Sequence, residues 1–438
     1  MSFQGITALL RDGGFYCEDC GRRHTVSLKR LYIERGAIAR VTDELAAAGG
    51  KHPYIVADPN TYRAAGQKVC GLLDAAGVPY TLCMLSADRP VPCEKYVGEA
   101  LMQMVAECDS ILGVGGGVIN DICKLLARNS RLPYIYIATA PSMDGFASSS
   151  SAMELHGLKI SLLSCPAPVI LADTDVLAAA PRDMILSGIG DMAAKYISLA
   201  EWKMAHYITE EYYCPTIAAM VRESLDKVMS NAEKAVNGDG AAVADVTEGL
   251  VLAGMAMDCA GVSRPASGAE HNISHIRDMR ALAFGTRTDF HGTQCGLAVL
   301  PVLREYEKLR HAVPDEQKAL AYTAAFRYEN RAAELREYIG EGAEAMIKLE
   351  AKEQKYDLAK HKKRLANILA RWDEICAVMD TLPKADDLAA QYKKIGFPTE
   401  PEDIGMTAEE IHRNLRLSGE IRDKYVLPRL LWDLGIEI

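Results

Sequence analysis

The chain is short of basic charge, of long apolar runs and of any regular repeat, and each shortage narrows what it does. Lys and Arg number 49 against 59 Asp and Glu, for a net charge of −10 and a pI near 5.6. That balance excludes a broad basic surface for nucleic acid, while leaving room for a local cationic pocket. No run of about 20 apolar residues occurs, so no membrane span is expected. The amino-terminal MSFQGITALLRDGG likewise has no long apolar stretch, and the expectation is a soluble, cytoplasmic protein. The 12 cysteines form no dense framework. Cys70, Cys123 and Cys259 sit inside apolar runs and read as reduced core thiols. No heptad, internal repeat or long linker interrupts the chain.

At 438 residues the chain is long for one domain and comfortable for two, and 49% hydrophobic with 25% charged residues is an ordinary globular composition. Its first part alternates short branched runs with helical patterns. Tyr54–Asp58, Tyr80–Leu85, Ser110–Val114, Tyr134–Ala138 and Val169–Asp173 read as strands, and Thr61–Ala76 and Glu94–Cys108 as helices between them. Strands separated by helices of this length predict βαβ units and a parallel sheet. From about Pro181 the strand pattern stops, and Ile189–His206, Thr216–Val236, Ala242–Gly261, Thr293–Arg310 and a charged series over Arg331–Asp380 read as helices. The expected fold class is α/β: a Rossmann-like parallel-sheet domain over residues 1–176, then an all-helical domain over 177–438. Within the charged series, Lys360–Arg364 reads as a solvated helix face.

Ligands of such sheets bind beyond the carboxyl ends of the strands. Ile111-Leu-Gly-Val-Gly-Gly-Gly-Val-Ile-Asn-Asp-Ile-Cys-Lys124 is a strand, a glycine turn and a helix start, although Val118 stands where GxGxxG requires glycine. Bare backbone at such a turn brings N–H groups to a diphosphate at the positive helix end, with Asp121 and Lys124 in the first turns. Asp58 ends its strand where a carboxylate accepts from a ribose hydroxyl, or else caps the next helix. The loop from Thr139 to Ser148 offers hydroxyls for phosphate, ribose or amide, or is simply flexible. Gly190-Asp191-Met-Ala-Ala-Lys195 places Asp191 and Lys195 on one helical face, the carboxylate being either terminal decoration or a ligand. His271 and His275, four apart, share a face of one helix entered through the loop Ser263–Gly268. With His291 they make half a cage for a divalent cation, or an ordinary His pair. HNISH lacks the glutamate of HExxH, which disfavours that metalloprotease chemistry. Cys17-Glu-Asp-Cys20-Gly-Arg-Arg-His24 reads as a structural hairpin; as a zinc site it lacks a fourth ligand.

Glycine turn, TAPS loop, helical aspartate, His pair and later His, in this order, resemble the iron-containing alcohol dehydrogenase and dehydroquinate synthase-like superfamily. Within it the resemblance is to the branch acting on sn-glycerol 1-phosphate. It runs from about Tyr32 to Gly296, and five separated motifs agree. It implies NAD- or NADP-binding through Gly116, Gly117, Val118, Ile119, Asn120 and Asp121, with Thr139, Ser142 and Ser148 adjoining and Asp58 at the adenosine ribose. It implies a divalent metal, zinc first and nickel or iron next, on Asp191, His271 and His291. Asp144, Asp191 and His275 become substrate contacts, and Asp191 and His275 the catalytic pair. The implied reaction is reversible reduction of dihydroxyacetone phosphate to sn-glycerol 1-phosphate by a homo-oligomer, a dimer. A phosphorylated small-molecule substrate needs a cation: Lys159, Lys195, Arg264 and His275 are the candidates, with Lys195 and Arg264 foremost, each with an internal salt bridge as its alternative role. A glycerol-type polyol dehydrogenase and a dehydroquinate synthase-like lyase are the rival readings. A non-catalytic binding protein is disfavoured by intact Asp191, His271 and His291.

Overall fold

The computed structural model of the chain describes residues 13–437, apart from Asp88 and Gly157. The chain groups into two compact units. The first runs to Met192 and takes in Ala219–Val262; the second comprises Ala193–Ala218 and Ser263–Ile438.

Among its described residues the first unit has ten strands: β1 (Gly14–Cys17), β2 (Arg22–Thr25), β3 (Arg30–Glu34), β4 (Pro53–Ala57), β5 (Thr81–Met84), β6 (Ser110–Gly115), β7 (Tyr134–Ala138), β8 (Ser150–Leu155), β9 (Leu158–Leu163) and β10 (Val169–Asp173). Six of them form one sheet in the order β3-β10-β7-β6-β4-β5, and every pairing in it is parallel. The five expected strands are all in it. All five are apolar, β-branched or aromatic runs, and the four other than β5 are buried along their whole length, as a sheet covered on both faces requires. Ile55, Ala57, Leu112, Val114, Ile135, Ile137, Val169 and Leu171 fall on one face by two-residue periodicity. They pack with Val69 and Leu73 of the helix Gln67–Ala75 and with Ile38, Val41 and Leu45. On the other face the helix Gly117–Ser130 lies against β6, and its Cys123 thiol would meet a Cβ placed on Gly113 at 2.9 Å.

Three features depart from the sequence expectation. The edge strand β3 is half-buried, with only the short run Leu31-Tyr32-Ile33 between two charged residues, yet it pairs in full register with β10. The loop after Ser148 turns into the antiparallel hairpin β8–β9, whose pairing Ser150↔Leu163 to Leu155↔Leu158 comes from the partner run rather than from its own serines. The single helix expected over Ile189–His206 is two, Arg182–Ala193 and Lys195–Thr209, parted at Ala194. On either side of that break a buried charged side chain reaches its own loop: Asp191 to the N–H of Asp144, Lys195 to the carbonyl of Ala266.

The helices that follow the sheet do not all belong to the second unit. Arg182–Ala193 packs its Gly188 so closely on the loop after β7 that a Cβ there would sit 1.9 Å from the Pro141 carbonyl oxygen. Gly240–Ala260 does the same with Gly254, 2.7 Å from the carbonyl oxygen of Asp144. Gly240–Ala260 is long and apolar enough to cross a membrane by length and composition, with mean hydropathy 1.3. Its apolar window is 67% buried inside the protein, the behaviour of a core helix.

The second unit is helical. Its core includes Ile276, Met279, Leu335, Tyr338, Ile339, Met346 and Leu417. The expectation of a solvated face for the Lys360–Arg364 run holds for Lys360, Lys362 and Lys363 and fails for His361 and Arg364. On the helix Leu358–Ala370, His361 and Arg364 turn inward with Leu365 and Ile368 at helical spacing. Arg364 grips Asp433 through two bonds, Nε to Oδ2 at 2.7 Å and Nη2 to Oδ1 at 2.9 Å, and His361 meets the Asp433 carbonyl at 2.9 Å. A guanidinium with a bidentate carboxylate is a form in which charge is tolerated inside.

Candidate active site

Two helices of the second unit, Ala269–Phe284 and His291–Leu309, carry the histidines and pack on one another. Gln294 donates to Asp278 across them at 3.0 Å. The expected one-helix placement of His271 and His275 holds, and the ring of His291 lies beside both: 5.1 Å from His271 between centroids, edge-on, and 5.7 Å from His275, stacked. His271 is buried, and its Nδ1 lies 2.8 Å from Glu270 Oε1. A carboxylate on Nδ1 fixes the tautomer, so Nε2 is the lone-pair nitrogen, the arrangement that a metal-binding imidazole needs.

The start of that helix is held by two buried carboxylates. Glu270 Oε1 also accepts from the Gly268 N–H, and Glu201 Oε2 accepts from the Ala269 N–H, each at 2.8 Å. Gly268 has to be glycine: a Cβ there would fall 2.5 Å from Glu201 Oε2 and 2.7 Å from Glu270 Oε2. Glu201 takes two further bonds, from the Leu427 N–H and the Tyr306 hydroxyl. Burial, with the nearby charge of Glu270, pushes the Glu201 carboxyl up to about 8.

Sequence reasoning missed Cys295. Buried one helical turn after His291, its thiol lies 3.6 Å from His291 Nε2, and His271, His291 and Cys295 each bring one ligand atom within 4.8 Å of the others. Burial pushes this thiol up, but the charges of His271 and His291 and their hydrogen bonds outweigh it, and the net direction is down. The signal was present as His291-x-x-x-Cys295, a second four-residue spacing. The donor set of two imidazoles with a thiol nearby suits a zinc-like ion.

In the first unit, Asp191 stands near the end of Arg182–Ala193 and its Oδ2 accepts the Asp144 N–H at 2.9 Å; both residues are buried. The structure thus brings two expected substrate contacts together. Asp191 belongs to the first unit, and His271, His275 and His291 to the second.

The glycine turn is built as expected. β6 ends at Gly115, Gly116 precedes the helix Gly117–Ser130, and no side chain caps that helix. Its first N–H groups are therefore left to an anion or to water. Gly116, Gly117 and Val118 are half-buried, while Ile119 and Asn120 are buried; a Cβ on Gly116 would meet nothing nearer than the Met184 methyl at 3.7 Å. Behind the turn, Asn120 donates toward the Gly145 and Phe146 carbonyls and accepts from Tyr134. Asp121 pairs with Lys124 at 2.8 Å, and burial raises its carboxyl, with Lys124 opposing. Lys124, fully buried, also donates to Gly145, Ser148 and Ser150. Thr139 and Ser142 are buried in the adjoining loop: the Thr139 N–H bonds Gly115, and the Ser142 carbonyl accepts from Ser187. Asp58 caps its helix: Oδ1 accepts from the N–H groups of Asn60 and Thr61, and Thr61 Oγ1 accepts the Asp58 N–H. Burial raises this carboxyl against those bonds.

Of the expected phosphate-binding cations, Arg264 is engaged in the second unit. Its Nε and Nη2 reach the two Glu211 oxygens at 2.7 Å each, and Nη1 reaches the Tyr425 carbonyl. That is its alternative role, the internal ion pair. Lys195 is fully buried, with Nζ 3.2 Å from the Ala266 carbonyl. Lys159 faces Glu154 across the β8–β9 hairpin. A fifth candidate, Lys424, was not foreseen; its Nζ lies 3.0 Å from the Ser267 carbonyl. Burial and the like charges of Arg264 and Arg422 bring it down to about 7. An open groove of 590 Å³ between Pro301–His311 and Ile411–Leu415 contains none of these residues.

The profile of the iron-containing alcohol dehydrogenase family matches residues 32–181. A protein of Geobacillus stearothermophilus named glycerol-1-phosphate dehydrogenase [NAD(P)+] is 27% identical over 425 residues, 96% of this chain and 95% of its own. A protein of the same name from Bacillus licheniformis is 31% identical over 69% of this chain and 76% of its own. Among solved structures, glycerol dehydrogenase of Schizosaccharomyces pombe superposes with a TM-score of 0.60 at 18% identity, covering 93% of this chain and 88% of that one.

Proposed function

Since the chain belongs to the iron-containing alcohol dehydrogenase family, we propose that it is an NAD(P)-linked, metal-dependent dehydrogenase that interconverts dihydroxyacetone phosphate and sn-glycerol 1-phosphate. The relatives bearing that activity in their names match nearly the whole length, helical part included. The observation that carries the reading is the buried His271, locked by Glu270 on Nδ1 beside His291.

In this reading residues 1–176 bind the nucleotide, and residues 177–438 bind metal and substrate. Asp191, His271 and His291 hold one divalent ion, zinc before nickel or iron because two imidazoles and a carboxylate suit it. When bound, the ion supplies Lewis acidity toward the C2 oxygen of the ketone, and the reduced nicotinamide supplies the hydride for C2. The chain's own residues do the rest. Gly116, Gly117, Val118, Ile119, Asn120 and Asp121 present the nucleotide turn, with Thr139, Ser142 and Ser148 behind it and Asp58 toward the ribose. Asp144 steadies the Asp191 carboxylate through its N–H and faces substrate. His275 holds the proton that the C2 oxygen takes up after hydride transfer, and gives it up in the reverse direction. Lys195 meets the phosphate; Arg264, committed to Glu211, acts beside it as fixed positive charge, and Lys424 joins them. The enzyme works as a cytoplasmic homodimer.

The test follows oxidation of the reduced cofactor with dihydroxyacetone phosphate, unphosphorylated dihydroxyacetone and a cyclisable sugar acid phosphate, with chiral analysis of the product. Preference for dihydroxyacetone phosphate, loss of activity in His271→Ala and sn-glycerol 1-phosphate as product are expected. Preference for the unphosphorylated ketone, or cyclisation of the sugar phosphate, would overturn the assignment.

A further inference from the structure

The hairpin β1–β2 has no part in the reaction above, yet it gathers three metal-binding side chains. The register pairs Cys17 with Arg22 and Phe15 with His24. Between the strands, Gly21 adopts φ +66° and its N–H returns to the Cys17 carbonyl at 2.9 Å. A left-handed residue directly after Cys20 lets the turn close tightly, and glycine takes that conformation without penalty. The closure puts Cys20 Sγ 3.2 Å from His24 Nε2 and leaves Cys17 and His24 buried. The donor atoms of Cys17, Cys20 and His24 all lie within 4.8 Å of one another.

The imidazole is already set for a metal. His24 Nδ1 lies 2.9 Å from the carbonyl of Cys259, within the same unit. A carbonyl only accepts, so Nδ1 carries the proton and Nε2 presents its lone pair toward Cys20. A tetrahedral zinc with ordinary Zn–S and Zn–N bonds spaces a sulfur and a nitrogen about 3.6 Å apart, so closing on the ion requires a shift of only a few tenths of an ångström.

We propose that Cys17, Cys20 and His24 bind a structural zinc ion, separate from the catalytic one. The metal staples an eight-residue segment whose own ladder is short, and a two-stranded hairpin by itself is marginal in water. A structural zinc takes four ligands, and these three leave one position for a further donor.

The full-length protein is purified in zinc, and its metal is measured by elemental analysis in wild type, Cys20→Ser and His271→Ala. Wild type should hold one zinc equivalent that survives His271→Ala and is lost in Cys20→Ser. Because Cys20→Ser alters a folded turn, wild type itself is also titrated with an organomercurial while a chromogenic chelator reads zinc release. One equivalent should appear as the hairpin thiols react. Cobalt substitution should give thiolate charge-transfer absorption that persists in His271→Ala, at the intensity of two thiolates. Cys20→Ser should keep kcat and lower the thermal midpoint. Mercurial that releases no zinc, a Cys17–Cys20 disulfide in the native protein, or zinc content that follows His271 alone would overturn the proposal.

Discussion

Replacing Lys124 by Met tests whether the nucleotide turn is held by one buried charge. The ammonium is fully buried and reaches Asp121 at 2.8 Å, Gly145 at 3.2 Å and Ser148 at 3.4 Å, as well as the Ser150 carbonyl. Met keeps the length of the chain and removes the charge, leaving the Asp121 carboxylate, only 14% exposed, without its paired cation and with Lys159 as a weaker one. Breaking a buried pair from one side costs about 3–5 kcal/mol, a large share of the roughly 5–15 kcal/mol that holds a domain together. The double variant Asp121→Asn with Lys124→Met has no stranded charge. Its loss should shrink to roughly 1–3 kcal/mol for the carbonyls left without a donor. Urea unfolding followed by circular dichroism measures each corner of the cycle. Trp202, Trp372 and Trp432 all lie in the second unit, so their fluorescence gives a separate reading of that unit. Hydrogen exchange should rise over Gly145–Ser150 in Lys124→Met, and NADH affinity should fall with it. If the two single losses simply add in the double variant, ammonium and carboxylate do not support one another and the reasoning fails. If Asp121→Asn alone keeps stability but abolishes NADH binding, that carboxylate serves the cofactor directly.

Asp191→Asn and His271→Ala should each lose the catalytic metal by elemental analysis, and Cys295→Ser should keep it; metal lost only in Cys295→Ser would replace the carboxylate by the thiolate in the ligand set. Asp58→Ala should cost about 1 kcal/mol as a lost helix cap, whereas Asp58→Asn keeps the cap and removes the charge. If the carboxylate also meets the ribose, Asp58→Asn should favour NADPH over NADH relative to wild type; an unchanged ratio of their KM values would leave Asp58 as a cap alone. Glu201 has its folded pKa raised to about 8 from an ordinary 4.5. Between those values the unfolded chain gives up a proton that the folded one keeps. The stability this group contributes is therefore complete below about pH 4.5 and lost as pH rises through 8, by at most about 1.4 kcal/mol per pH unit. Thermal midpoints of wild type should fall over that window more steeply than those of Glu201→Gln, and identical slopes would disprove the shift.

Much of the fold was written in short windows of sequence. β7 and β10 fall on the residues expected because an apolar, β-branched run fits a doubly covered strand and little else. The one-helix placement of His271 and His275, the loop before them and the turn at Gly116 follow from spacings of four residues or fewer. The hairpin at Cys17–His24 was legible for the same reason. Strand β3 was not, because an edge strand is defined by its partner β10 and not by its own apolar content.

The charged interior was beyond the reach of such windows. Lys360–Arg364 looks solvated along the chain, yet Arg364 is buried on Asp433, 69 residues away. Glu201 and Glu270 share the start of one helix from 69 positions apart. Arg264 could be read as a phosphate ligand or as an ion pair, and only the approach of Glu211 decided where its guanidinium goes. The difference is physical. Whether a segment is helix or strand depends on a periodicity it carries by itself. What a charged side chain does depends on whether it is desolvated and on which distant group then meets it, and the folded chain alone sets both.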